Sequence, residues 1–212
     1  MGTADKRNAM SWLMDEPYRE YWANLGRFIH VFSSVESTLQ AVAEKLIGID
    51  TNIGRAVLHG SRIDNTKSLI NRVLEAKGDL SMLQRLERHF SQLTIISGVR
   101  NDLVHWGAEN TPEGLVVSNN RVAFTPSRQK SYAVSAQTLE AMIDDLGNIQ
   151  MTLLGIAYPL IPETGPLLAQ FFHDAELAPW RYRPLPQAPS QKPPGTRARR
   201  RAQQRQRDAS QK

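Results

Sequence analysis

The residues of this 212-residue chain best suited to chemistry lie in one hexapeptide, Arg100-Asn101-Asp102-Leu103-Val104-His105. An imidazole titrates near neutrality, so His105 can take up and give back a proton. A guanidinium is permanently charged and offers a planar fork of donors, which suits Arg100 to the oxygens of a phosphate. Asn101 supplies an amide that can orient the imidazole or hold an oxygen. Asn101 and His105 are four residues apart and share one face of a helix, and the long side chain of Arg100 can curl towards them. No second constellation competes with this one. His30, His59, His89 and His173 share no ligand spacing. Asp15-Glu16 and Asp144-Asp145 read as solvated acids, and there is no P-loop, GxSxG or HExxH. The chain has no cysteine, which excludes disulfides, thiol nucleophiles and Cys-based zinc sites. The reading assigns no metal and no cofactor.

The hexapeptide ends a helix expected over about 80–106. Its apolar stripe runs Leu83, Leu86, Phe90, Leu93 and then Ser97, Arg100, Val104, so Arg100 stands where the spacing of Leu86 and Leu93 predicts a core residue. A second strip beside it, Glu87, Ser91, Thr94, Gly98, Asn101 and His105, is small or polar throughout. A core stripe that gives way to Arg, Asn and His marks a functional or strained site. A longer helix is expected over about 17–47, because Tyr18, Tyr21, Leu25, Phe28, Phe32, Val35, Leu39, Val42 and Leu46 recur in steps of three and four. Pro17 suits its first turn and Gly48 its stop. Trp22, Ile29, Glu36 and Ala43 form a shoulder beside that stripe, where a partly buried Glu36 carboxylate needs a partner.

Shorter helices are expected over 53–59 and 63–76, the second with Ile63, Leu69, Ile70, Val73 and Leu74 inward, followed by a turn at Gly78-Asp79. The pattern then changes. Leu115-Val116-Val117 and Val122-Ala123-Phe124 flank Ser118-Asn119-Asn120-Arg121, which predicts a small β-hairpin over about 113–126. A last helix over 136–158 carries Leu139, Met142, Leu146, Ile149, Leu153 and Ile156 inward, and Pro159 ends it. The expected fold is all-α: an up-and-down helical bundle over 17–160, with the hairpin inserted before the last helix. An N-terminal extension (1–16) and a C-terminal extension (161–178) flank it, and a disordered basic tail (179–212) follows.

Charge supports that division. Of the 26 Lys and Arg residues, ten fall at or after Arg181 against one acid, Asp208, so the net charge of +5 conceals a mildly acidic body. The tail is rich in Pro, Arg and Gln and has little to bury. Its Arg197, Arg199, Arg200, Arg201, Arg205 and Arg207 are candidate phosphate contacts that release counterions on binding RNA. The first residues lack an apolar segment behind their charges, and the apolar run over 151–161 is too short to span a bilayer. These features predict a cytoplasmic protein with no membrane partner.

The motif and its setting resemble the HEPN domain family. Arg100-Asn101-Asp102-Leu103-Val104-His105, late in a long helix, is similar to the Arg-polar-spacer-His signature of that family. The early helix with Phe32-Ser33-Ser34-Val35-Glu36-Ser37-Thr38-Leu39, and the segment Ala56-Val57-Leu58-His59-Gly60, are similar to it as well. The resemblance covers 18–158; the hairpin and the basic tail depart from the minimal bundle. It implies a homodimer in which two motif helices meet to form one composite site. It implies metal-independent RNA cleavage leaving a 2′,3′-cyclic phosphate, with His105 moving protons, Arg100 on the phosphate and Asn101 orienting. Glu36 would support Arg100 or His105. A toxin or anti-phage defence effector is the corresponding role, with an antitoxin or defence-system protein as a further partner.

Two other readings stand beside these. Cations in a last helical turn also favour the helix dipole, so Arg100 and His105 can serve as a capping cluster. Glu36 can be one half of a structural salt bridge. A non-catalytic HEPN-like module that dimerises and binds a nucleotide, RNA or protein is the alternative function.

Overall fold

The computed structural model of the chain describes residues 16–106, 108–111, 114–119, 129–158 and 165–184. Six helices carry the architecture: α1 Glu16–Ile47, α2 Thr51–Leu58, α3 Ile63–Lys77, α4 Leu80–Trp106, α5 Ala136–Ala157 and α6 Gly165–Leu177. A small antiparallel sheet, β1 Ala108–Thr111, β2 Gly114–Ser118 and β3 Ser131–Ala133, sits between α4 and α5 in the order β1-β2-β3. The fold is an all-α bundle. No helix among the described residues is long and apolar enough to cross a membrane.

The stripe on α1 organises the core. Tyr21, Phe28, Phe32, Val35, Leu39 and Val42 are each at most 2% exposed, and α1 lies against α5 on one side and α3 on the other. Helix α4 packs on α3 and α5, diagonal to α1. Local chemistry sets the helix ends. Asp50 accepts from the backbone N–H groups of Asn52 and Ile53 at the start of α2, and Ser135 from that of Thr138 at the start of α5. Asp79 accepts from Met82 N and the Ser81 hydroxyl, and these bonds hold its carboxyl below the usual range. Gly48 and Gly78 stop α1 and α3 at φ 75° and 70°, conformations only glycine takes without strain. Lys77 then donates to the Leu46 carbonyl, so the C-terminal ends of α1 and α3 are tied. Helix α4 therefore runs from that end of the bundle back to the level of Phe32.

Three elements differ from the sequence reading. The strand over 114–118 pairs with 108–111 on one side and 131–133 on the other, so its partners are not the 122–124 segment that the sequence suggested. Strand β1, Ala-Glu-Asn-Thr, has no apolar alternation to announce it. Val122-Ala123-Phe124 lies outside the described residues. Helix α6 falls in the stretch 161–178 read as a C-terminal extension, and Pro166 in its first turn suits a helix start. It packs on α5 so closely that a Cβ on Gly155 would meet the Phe172 ring at 3.2 Å. Arg85 of α4 grips it through a two-pronged pair with Glu176, at 2.6 and 2.7 Å.

The third difference is at 179–184, read as the start of a disordered tail. These residues form a strap over α4 and α5, and Asp144-Asp145 is not a pair of solvated acids. Asp145 is fully buried, and its carboxylate accepts from Arg181 N (2.8 Å), Tyr182 N (3.0 Å) and Gln92 Nε2 (2.7 Å). Asp144 pairs with the Arg181 guanidinium. Trp180 meets the buried His89 ring edge-on at 5.4 Å and lies under the Arg88 guanidinium at 4.6 Å. Burial pushes the His89 imidazole below its ordinary pKa, so it stands neutral. Its Nδ1–H donates to the Arg85 carbonyl at 3.2 Å and its Nε2 faces the Thr152 hydroxyl at 3.3 Å. This histidine is a structural residue. The remaining tail arginines, Arg197 to Arg207, lie outside the described residues.

Asp145→Ala would leave two strap N–H groups and the Gln92 amide without their acceptor, at roughly 1–3 kcal/mol per orphaned buried donor. The urea midpoint should therefore drop clearly, whereas removing residues 185–212 should leave it in place. An unchanged midpoint for Asp145→Ala would show that the strap does not stabilise the bundle.

Candidate functional site

The two faces of α4 divide the motif. The buried arc carries Leu86, Leu93, Ile96, Val99 and Leu103, each 8% exposed or less. Arg100, seven residues beyond Leu93, falls within that arc, as its spacing predicted. Val104, expected to close the stripe, is instead 51% exposed, because Val99 and Leu103 complete the core from the other flank. The strip Glu87, Ser91, Thr94, Gly98, Asn101 and His105 is exposed along its whole length, and a Cβ on Gly98 would meet nothing within 4 Å.

Arg100 is half-buried, and the bundle meets its charge from three directions. Its guanidinium lies 5.4 Å from the centre of the Phe32 ring on α1. One terminal N–H donates to Asn101 Oδ1 at 3.2 Å. The half-buried Glu36 carboxylate feels its charge: burial pushes the Glu36 carboxyl above the usual range, and Arg100 partly pulls it back. Arg100 Nε is buried and has no hydrogen-bond partner among the described residues. The sequence placed Glu36 on a shoulder needing a partner, and Arg100 is the charge it faces across the bundle diagonal.

Arg100, Asn101 and Glu36 are thus brought together, whereas His105 is held apart from them. His105 is one turn beyond Asn101 on the open face, exposed, in the last turn of α4. Asn101 is the link, because it receives Arg100 on one side and shares its face with His105 on the other. Asp102 turns the other way and accepts from the Tyr132 hydroxyl of β3 at 3.0 Å, fastening the sheet to the end of α4. Burial pushes the Asp102 carboxyl up, partly countered by that bond and by Lys130. Burial, reinforced by Asp102, pushes the Tyr132 phenol far above its ordinary range.

A further polar group on this face was not singled out by its residue types. Lys67 of α3 is 8% exposed, pairs with Asp64 at 2.9 Å and donates to the Thr94 hydroxyl of α4. It lines a cavity of ≈ 360 Å³ with Asp64, Asn71, Glu87, Phe90 and Ser91. The available signal was a lysine at an inward position of α3, one turn before Ile70. Among the described residues no group of three or more His, Asp or Glu side chains is placed to hold a metal ion.

Comparison with protein-family models, with curated proteins and with solved structures finds no match for this chain.

The raised pKa of Glu36 fixes the sign of a pH effect. A carboxyl easier to protonate in the folded chain favours folding when protonated, and that contribution is lost as pH rises through the folded-state pKa. Glu36→Gln keeps the neutral form at every pH. Its denaturation midpoint relative to the native chain should therefore be higher at pH 7 than at pH 4. A difference that does not change between these pH values would mean that Arg100 fully offsets the burial of the carboxylate.

Proposed function

We propose that the chain is a metal-independent endoribonuclease of the HEPN type, acting as a toxin or anti-phage effector. The observation that carries this reading is the half-buried Arg100, held against Asn101 with one buried donor unpartnered, one turn from an exposed His105. A capping cluster needs no such cradle, since cations meeting a helix dipole do so from an exposed last turn.

The residues divide the chemistry. The ribose 2′-OH gives its proton to one imidazole, and its oxygen attacks the adjacent phosphorus. The bond from phosphorus to the 5′-oxygen breaks, and that oxygen takes a proton from a second imidazole. The products are a 2′,3′-cyclic phosphate and a free 5′-OH. One chain supplies only His105 to this face, so the second imidazole is His105 of the partner subunit. The open strip of small and polar residues on α4 is suited to that approach. Arg100 stabilises the charge that builds on the phosphate oxygens. Asn101 holds Arg100 and orients the imidazole, and Glu36 restrains Arg100 from behind. The acidic body makes Arg197, Arg199, Arg200, Arg201, Arg205 and Arg207 the natural source of sequence-independent RNA affinity.

Purified protein, dimeric by light scattering at micromolar concentration, is expected to cleave mixed RNA in EDTA. Arg100→Ala and His105→Ala should each reduce cleavage at least a hundredfold with an unchanged circular dichroism spectrum. Cleavage by either variant at the native rate would overturn the assignment, as would a monomer that cleaves.

Removing residues 185–212 should weaken RNA binding at low salt and flatten the dependence of affinity on salt, while cleavage at saturating RNA persists. An identical salt slope in the shortened chain would show that the tail does not contact RNA.

A further inference from the structure

The cavity between α3 and α4 shares its face of α4 with the motif. Glu87, Ser91 and Thr94 line it, and the same strip continues through Gly98 to Asn101 and His105. Thr94 and Asn101 are seven residues apart, which is about 10 Å along a helix. A strand whose phosphate lies at Asn101 and His105 therefore passes the cavity with a neighbouring nucleotide. At ≈ 360 Å³ the cavity falls at the small end of the range for ligand pockets, about 300–1,000 Å³.

Its lining restricts what can enter. Two carboxylates, Asp64 and Glu87, outnumber the one cation, Lys67, so a phosphate is repelled. Leu83 and Phe90 give an apolar surface for a flat ring. The polar groups around it both donate and accept, which fits a neutral ligand with both kinds of group along one edge. Lys67 is the distinctive member. Its ammonium is held by Asp64 and by the Thr94 hydroxyl, whose own proton goes to the Phe90 carbonyl at 2.7 Å. One of its three N–H donors is left without a partner among the described residues. Because Lys67 lines the cavity, that donor can meet an acceptor placed there.

Resting on the ribonuclease reading, we propose that this cavity receives an unstacked guanine of the RNA strand next to the cleavage site. Guanine presents an acceptor, O6, beside two adjacent donors, N1–H and the N2 amino group. Lys67 satisfies the acceptor, and the exposed Glu87 carboxylate accepts from both donors. Adenine, cytosine and uracil can each give Lys67 an acceptor and Glu87 one donor, but none has the two adjacent donors that engage both oxygens of the carboxylate. Reading an unstacked base along its edge, over an apolar surface, is how single-stranded RNA is distinguished by sequence.

The test reads binding and not cleavage. Fluorescence anisotropy with 2′-O-methyl RNA hexamers, which cannot be cut, compares an all-uridine strand with strands carrying one guanine, adenine or cytosine. The full-length chain is expected to bind the guanine strand at least tenfold more tightly than the other three. Glu87→Gln, at an exposed position, should reduce that preference to within twofold, whatever the loss of its charge does to the affinity common to all four strands. Basic-tail affinity is common to all four strands and cancels in the ratio. Equal binding of the four strands overturns the proposal, as does a guanine preference that survives Glu87→Gln. A guanine preference lost in Glu87→Gln supports the pocket even in a chain that cleaves no RNA, in which case the nuclease reading alone fails.

Discussion

Helix α4 must bury an apolar arc against α3 and α5, and that requirement fixes everything else on its surface. Leu86, Leu93, Ile96, Val99 and Leu103 set the rotation of the helix. With the rotation fixed, Asn101 and His105 are exposed and Arg100 is drawn towards α1. Turning the helix by one residue, about 100°, would carry the apolar arc into water and the polar strip inside. Burial of large side chains is worth about 1.5–3 kcal/mol each, far more than any single hydrogen bond of the motif. The geometry of the site is therefore imposed by the core and not by contacts among the site residues.

The buried polar groups fall into two kinds. On the α5 side of α4, Asp145, His89 and Gln92 are each partnered, and together they bind the strap to the bundle. Satisfied in this way, such groups specify one arrangement of backbone. Arg100 and Lys67 differ, because each is only partly matched: the buried Arg100 Nε has no partner among the described residues, and two partners meet the three donors of Lys67. Tyr21 Oη and Asn24 Nδ2 are also buried without a partner among the described residues, but only Lys67 opens on the face that carries His105. An incompletely satisfied cation is costly within a bundle but useful where an oxygen-rich ligand completes it.

The helices were legible in the sequence because their periodicity was strong. The stripe from Tyr21 to Val42 and the inward set from Leu139 to Leu153 are buried where spacing put them. The partial burial of Glu36 was legible too, since a charge at a sevenfold position beside an apolar stripe has few places to go, whereas its partner was left open between Arg100 and His105. Asp145 was misread because a carboxylate beside a second one looks solvated. Its partners are main-chain N–H groups of residues 181 and 182, and no residue type announces those. Strand β1 and helix α6 were hidden for related reasons, one lacking apolar alternation and the other surrounded by prolines. The cavity was invisible because it depends on how α3 and α4 are spaced, which neither helix encodes alone.

The strap also separates two tasks within the proposed function. It lies against Arg88, His89 and Gln92, on the side of α4 turned away from Asn101 and His105. The basic tail therefore begins behind the helix whose front carries the motif. Arginines joined to the chain there can raise the local concentration of RNA without fixing the register of any one phosphate. Register must come from groups on the front, where Arg100 is held by Asn101 and Phe32 and where the cavity ends at Thr94, four residues short of Gly98. On the proposed reading affinity comes from the basic tail and positioning from the front of α4, so an acidic body would act on a polyanion through charge carried elsewhere in the chain.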